Sequence, residues 1–120
     1  MNSVEIQSNI NQIADGEGVL GCALVEIEAG MIWLSAGKSP QLSQYCEAVS
    51  DYWRLSDRLN KHFPEADQLR NLSLQYGHLK IASWRLNKGL ILVLLLAQGQ
   101  ELPWERAKPL ITKILLETKE

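Results

Sequence analysis

GEGVLGCALVEIEAGMIWLSA, residues Gly16 to Ala36, decides the fold. Two apolar runs, VLGCALVEI and MIWLSA, flank the short link Glu28-Ala29-Gly30. A link this short forces an antiparallel hairpin. Upstream, Ile6, Ile10, Ile13 and Ala14 recur at helical spacing. Ser3 is the expected N-cap of that helix, and Asp15-Gly16 its end. The order is therefore helix, glycines, strand, turn, strand. GEGVLG also matches G-x-G-x-x-G, a dinucleotide-binding fingerprint. That fingerprint needs a strand before the glycines and a helix after them, so the surrounding elements argue against it. Gly21 then reads as a small residue in a crowded strand.

Reading outward, strand one covers about Val19 to Glu28 and strand two Met31 to Ala36. Strand one is apolar on both faces, as a central strand should be. Ser39 and Pro40 suggest an N-cap and first helical position for a second helix that runs to about Phe63, with Leu42 its first apolar residue. Pro64 stops it. Leu69 to Tyr76 alternates: Leu72, Leu74 and Tyr76 on one face, Asn71, Ser73 and Gln75 on the other. That pattern marks a one-sided strand at a sheet edge. His78 to Leu86 and Leu90 to Ala97 follow as strands, joined by the turn Asn87-Lys88-Gly89. A last helix covers about Leu102 to Thr118, with Pro109 either kinking it or marking its first turn. The expected class is α+β, ordered α-β-β-α-β-β-β-α. It has a five-stranded antiparallel sheet with helices packed on its faces, in one domain spanning residues 1–120.

Bulk properties narrow the function. The 120 residues are 46% hydrophobic and 22% charged, enough for a real core, and the net charge is −2. The basic residues are scattered singly, which argues against nucleic acid and anionic membranes as partners. The longest apolar run, Leu90 to Ala97, is far short of the roughly 20 residues a membrane-spanning helix needs. The N-terminus lacks the features of a signal peptide, so a cytoplasmic location is expected. Cys22 and Cys46 form no metal-ligand pattern and read as buried thiols.

Catalytic signals are sparse. Gly37-Lys38-Ser39 resembles the tail of a phosphate loop, but the glycine that motif needs earlier falls at Ile32. His62 and His78 accompany no nucleophile motif and read as surface residues. No catalytic residue, metal ligand set or cofactor is expected. Trp33, Trp53, Trp84 and Trp104 are expected mostly in the core. Tyr45, Val49, Tyr52 and Trp53 make the second helix more aromatic than a small core requires, which points to a partner. The edge strand, with Arg70, Asn71, Leu72, Ser73, Leu74, Gln75 and Tyr76, invites pairing with a second copy.

The layout resembles the Roadblock family, the dynein light chain Roadblock-type domain, a Roadblock/profilin-like architecture. The resemblance rests on the opening helix, G-V-L-G-C-A-L-V, the E-A-G turn to M-I-W-L and the long helix after Ser39-Pro40. It continues through Y-G-H-L-K-I, L-I-L-V-L-L-L and the closing helix. Departures are Glu26 and Glu28, where members often carry Asp-Gly, and the pair Pro103 and Pro109. The resemblance implies a non-catalytic homodimer, with third strands paired across a two-fold axis and second helices side by side. It also implies a role in regulating or scaffolding a small Ras-like GTPase, or in a signalling or motility complex. Another Roadblock-like chain is a further possible partner. The competing reading is a small-ligand sensor or enzyme on a similar scaffold, drawing on His78, Tyr76, Arg85 and Glu26.

Overall fold

A computed structural model describes residues 2–102 and 104–119. In chain order the elements are α1 (Ser3–Ala14), β1 (Val19–Glu26), β2 (Ile32–Gly37), α2 (Leu42–Leu59), β3 (Asn71–Gln75), β4 (Leu79–Arg85), β5 (Leu90–Ala97) and α3 (Trp104–Thr118). The strands form one antiparallel sheet in the order β2-β1-β5-β4-β3. Both the class and the element order match the sequence reading.

Period-two alternation splits β1 and β5 between two core layers. Cys22, Leu24, Leu92 and Leu94 face Ile6, Ile10 and Ile13 of α1 and Leu110, Ile111 and Ile114 of α3. Ala23, Val25, Ile91, Val93 and Leu95 face Leu42, Cys46, Val49 and Trp53 of α2. Every residue from Leu90 to Leu96 is buried, as a strand covered on both faces requires.

Several boundaries differ from expectation for identifiable reasons. Asn2, not Ser3, caps α1: its Oδ1 accepts the Glu5 N–H at 3.2 Å. Ser39 does not cap α2 through its side chain, and Pro40 precedes the helix; regular helix begins at Leu42. Leu42 packs on Gly21, where a Cβ would lie 3.1 Å from the leucine Cδ1, so tertiary packing fixes the helix start. After Leu59 the chain tightens into 3-10 turns at Asn60–His62 and Pro64–Ala66. β1 stops at Glu26 because the turn closes early, with Gly30 N–H donating to the Glu26 carbonyl at 2.8 Å. Pro109 lies inside α3, five residues beyond its start, so it does not mark the first turn; Pro103 lies outside the described residues. Only Trp53 of the four tryptophans is fully buried. Trp84 and Trp104 stack on each other, centroids 6.2 Å apart, and Trp33 and Trp104 are exposed.

One backbone contact permits the β1–β2 pairing near its open end. Gly21 and Gly37 are register partners, and Gly37 adopts φ 114°. A Cβ on Gly37 would meet the Gly21 Cα at 2.6 Å and the Leu20 carbonyl oxygen at 2.7 Å. Gly37→Ala should therefore lose about 1–3 kcal/mol from strain alone, read by urea denaturation. Gly89→Ala, where nothing lies within 4 Å, should stay within about 0.5 kcal/mol of the parent. Equal effects at the two positions would contradict this packing.

Candidate interaction surface

The sheet has two edges, and they differ. On β2, the register with β1 shifts between Leu24 and Val25, whose partners are Leu34 and Ile32, so Trp33 is left without a register partner. Gln7 of α1 also reaches across, its Nε2 donating to the Ser35 carbonyl at 3.0 Å. A bulge and a capping side chain are the usual means of blunting an edge. β3 carries neither. Its register with β4 runs unbroken from Asn71–Trp84 to Gln75–Lys80, and it contains no proline.

The ladder fixes which backbone groups of β3 are free. Tyr76 N–H donates to the Leu79 carbonyl, and Arg85 N–H to the Arg70 carbonyl, both at 2.8 Å. Hydrogen bonding alternates residue by residue in an antiparallel pair. The polar groups of Leu72 and Leu74 therefore turn toward β4, and those of Asn71, Ser73 and Gln75 turn outward. The side chains of Asn71, Ser73 and Gln75 are also exposed.

Beside this edge runs an apolar groove of about 610 Å³. Its walls are Tyr52, Leu55, Leu59 and Phe63 on one side and Leu69 and Leu72 on the other. Those four α2-side residues are all exposed, Phe63 by 60%. Arg85 fixes the groove's geometry. Its Nε donates to the Leu69 carbonyl at 2.9 Å, and its Nη2 to Asp57 Oδ1 of α2 at 2.7 Å. The guanidinium lies 5.0 Å from the Trp53 ring centroid, a cation–π arrangement. Trp53 Nε1 donates to Ser83 Oγ of β4 at 2.9 Å. The start of β3, the C-terminal half of α2 and β4 are thus tied to one buried side chain.

The residues expected at the interface divide accordingly. Asn71, Ser73, Gln75, Tyr52 and Tyr76 are exposed; Tyr76 lies just past the strand, its hydroxyl 3.4 Å from that of Tyr52. That contact pushes the Tyr76 hydroxyl above its ordinary pKa. Arg70 is exposed, precedes the strand and lies 3.7 Å from Asp67. Leu72 and Leu74 are half-buried under α2, and Tyr45, on α2 itself, is half-buried against the same core layer. Val49 and Trp53 are correctly placed on the helix but lie beneath it, 0% exposed, and so are core residues. Leu55, Leu59 and Phe63 were missed as surface residues. Their signal was present: Tyr52, Leu55, Leu59 and Phe63 recur at helical spacing as a second apolar stripe.

The groups suggested for a small-ligand site do not converge. Tyr76 and His78 flank the β3–β4 turn, Arg85 is at the far end of β4, and Glu26 closes β1 two strands away. The two cysteines are buried on opposite faces of the sheet. Burial raises the Cys22 thiol, and it pushes Cys46 up to about 12.

This architecture is the Roadblock/LC7 fold. A Roadblock/LC7 domain from Streptomyces avermitilis superimposes with a TM-score of 0.72 at 11% identity, over 95% of this chain and 92% of that one. MglB of Myxococcus xanthus gives a TM-score of 0.76 at 15% identity, over 95% and 84%. The gliding protein MglB of Thermus thermophilus gives 0.67 at 17%, over 93% and 82%. No family model matches the sequence, and no curated protein matches it either. The likeness therefore resides in the fold.

The thiols supply a check on the two-layer core. Iodoacetamide at about pH 8 should leave both cysteines unmodified in the folded chain and alkylate both in urea, by intact-mass spectrometry. The protonated Cys46 favours the folded state below its unfolded pKa of 9.0. That advantage should be lost as pH rises toward about 12. Rapid labelling of the native chain would contradict the burial.

Proposed function

We infer that this chain is a non-catalytic interaction module that self-associates along β3 and the flank of α2. As such a dimer it would regulate or scaffold a small Ras-like GTPase, or a signalling or motility complex, in the cytoplasm. One observation carries the reading: the outward backbone of Asn71, Ser73 and Gln75 lies beside the exposed apolar groove of Tyr52, Leu55, Leu59 and Phe63. Backbone groups that continue a sheet supply register, and an adjoining apolar strip supplies area. The same surface would accept another Roadblock-like chain in a heterodimer. The GTPase part of the reading rests on the Roadblock resemblance, and the motility part on likeness to a gliding protein. Residues 1–120 would act as one domain.

Ser73→Pro separates pairing from folding. It removes an outward N–H and leaves the ladder to β4 intact, and proline is tolerated on an edge strand. By light scattering, the parent chain should run at about twice its 13.5 kDa mass, and the variant at the single-chain mass with an unchanged circular dichroism spectrum. Leu55→Lys, on the groove wall, should weaken association by about tenfold or more. A monomeric parent at tens of micromolar, or a Ser73→Pro variant that still dimerises, would sink the self-association.

A further inference from the structure

The bulge on β2 does more than blunt an edge. It turns Trp33 outward, 45% exposed, beside Met31, which is 54% exposed. Trp33 is not loose: its Nε1 donates to Glu26 Oε2 at 3.1 Å, which restrains the ring and leaves its faces available. Aromatic side chains held in this way lose little conformational entropy on binding and recur as interface anchors. Ser83 holds Trp53 in the core by the same kind of bond, and there the ring face carries Arg85.

Glu26 borders the Trp33 ring through the bond to Nε1, and its carboxylate makes no ion pair among the described residues. The adjacent cation, Arg54, is already engaged. Its Nη1 donates to the Ile27 and Glu28 carbonyls, and its Nη2 pairs with Asp51. Arg54 therefore staples the β1–β2 turn to α2 and makes no ion pair with Glu26.

We propose that the bulged corner formed by Glu26, Met31 and Trp33 docks an arginine-bearing segment of a partner protein. The guanidinium stacks on the Trp33 ring while its N–H groups reach the Glu26 carboxylate, and the aliphatic stem covers Met31. A planar guanidinium satisfies ring and carboxylate together, whereas a lysine ammonium does so less well. The corner lies on the strand farthest from β3, roughly 19 Å away at the usual strand spacing. A partner could therefore bind there while β3 pairs with a second copy, and the inference holds whether or not that pairing occurs.

The test is a titration of the ¹⁵N-labelled full chain with the peptide acetyl-Gly-Arg-Gly-Arg-Gly-amide, following the tryptophan indole N–H signals. The Trp33 signal should shift saturably. The lysine peptide should bind about threefold or more weakly, and the glutamate peptide should cause no shift. Trp33→Leu should abolish the peptide-induced shifts of nearby backbone amides, and Glu26→Gln should weaken binding by about fivefold or more. Unchanged distant resonances in both variants establish that they fold. No shift at Trp33, an equal response at the exposed Trp104, or undiminished binding by either variant would overturn the assignment.

Discussion

Burial of β1 and β5 on both faces is the constraint from which the rest of the structure follows. No side chain from Leu90 to Leu96 is left to solvent, so each face of the sheet needs a helical layer. One face has two helices, α1 and α3; the other has only α2. Five strands span roughly 19 Å at the usual spacing, and a helix with its side chains is about 10–12 Å across. A single helix cannot roof that face. It sits over the core strands and leaves an open groove along β3, with its own apolar flank exposed.

That shortfall explains why the sequence was readable to different depths. The two-faced apolar runs and the hairpin turn at Glu28-Ala29-Gly30 made the sheet and its order legible, and the alternation of Leu72 and Leu74 with Asn71, Ser73 and Gln75 identified the edge. Periodicity on α2 could not say how much of the stripe the sheet would cover. Val49 and Trp53 therefore read as partner candidates although the sheet covers them, while Leu55, Leu59 and Phe63, which it leaves open, do not stand out. The cap at Ser39 failed for a related reason: a local motif was overridden by Leu42 packing on Gly21. The Arg85 bonds to Asp57 and Leu69 join residues 28 and 16 positions apart, a distance over which local patterns carry no information.

The two sheet edges also illustrate how one fold can hold two surfaces of different character. β2 is bulged and capped by Gln7, so its backbone is poorly presented to another strand while its side chains are displayed. β3 is regular and uncapped, so its backbone is presented and flanked by apolar side chains. Arg85 holds the start of β3 against α2 in the isolated chain, which lowers the ordering cost of any contact made there.

The central claim is that the outward backbone of β3 is the contact between two copies. Amide hydrogen exchange, resolved by residue and followed with dilution, tests it most directly. The amides of Leu72 and Leu74, bonded to β4, should be protected at every concentration. Those of Asn71, Ser73 and Gln75 should be protected at high concentration and lose that protection as the chain is diluted through its dissociation constant. Exchange of these three at unprotected rates at the highest concentrations, with Leu72 and Leu74 still protected, would contradict the account.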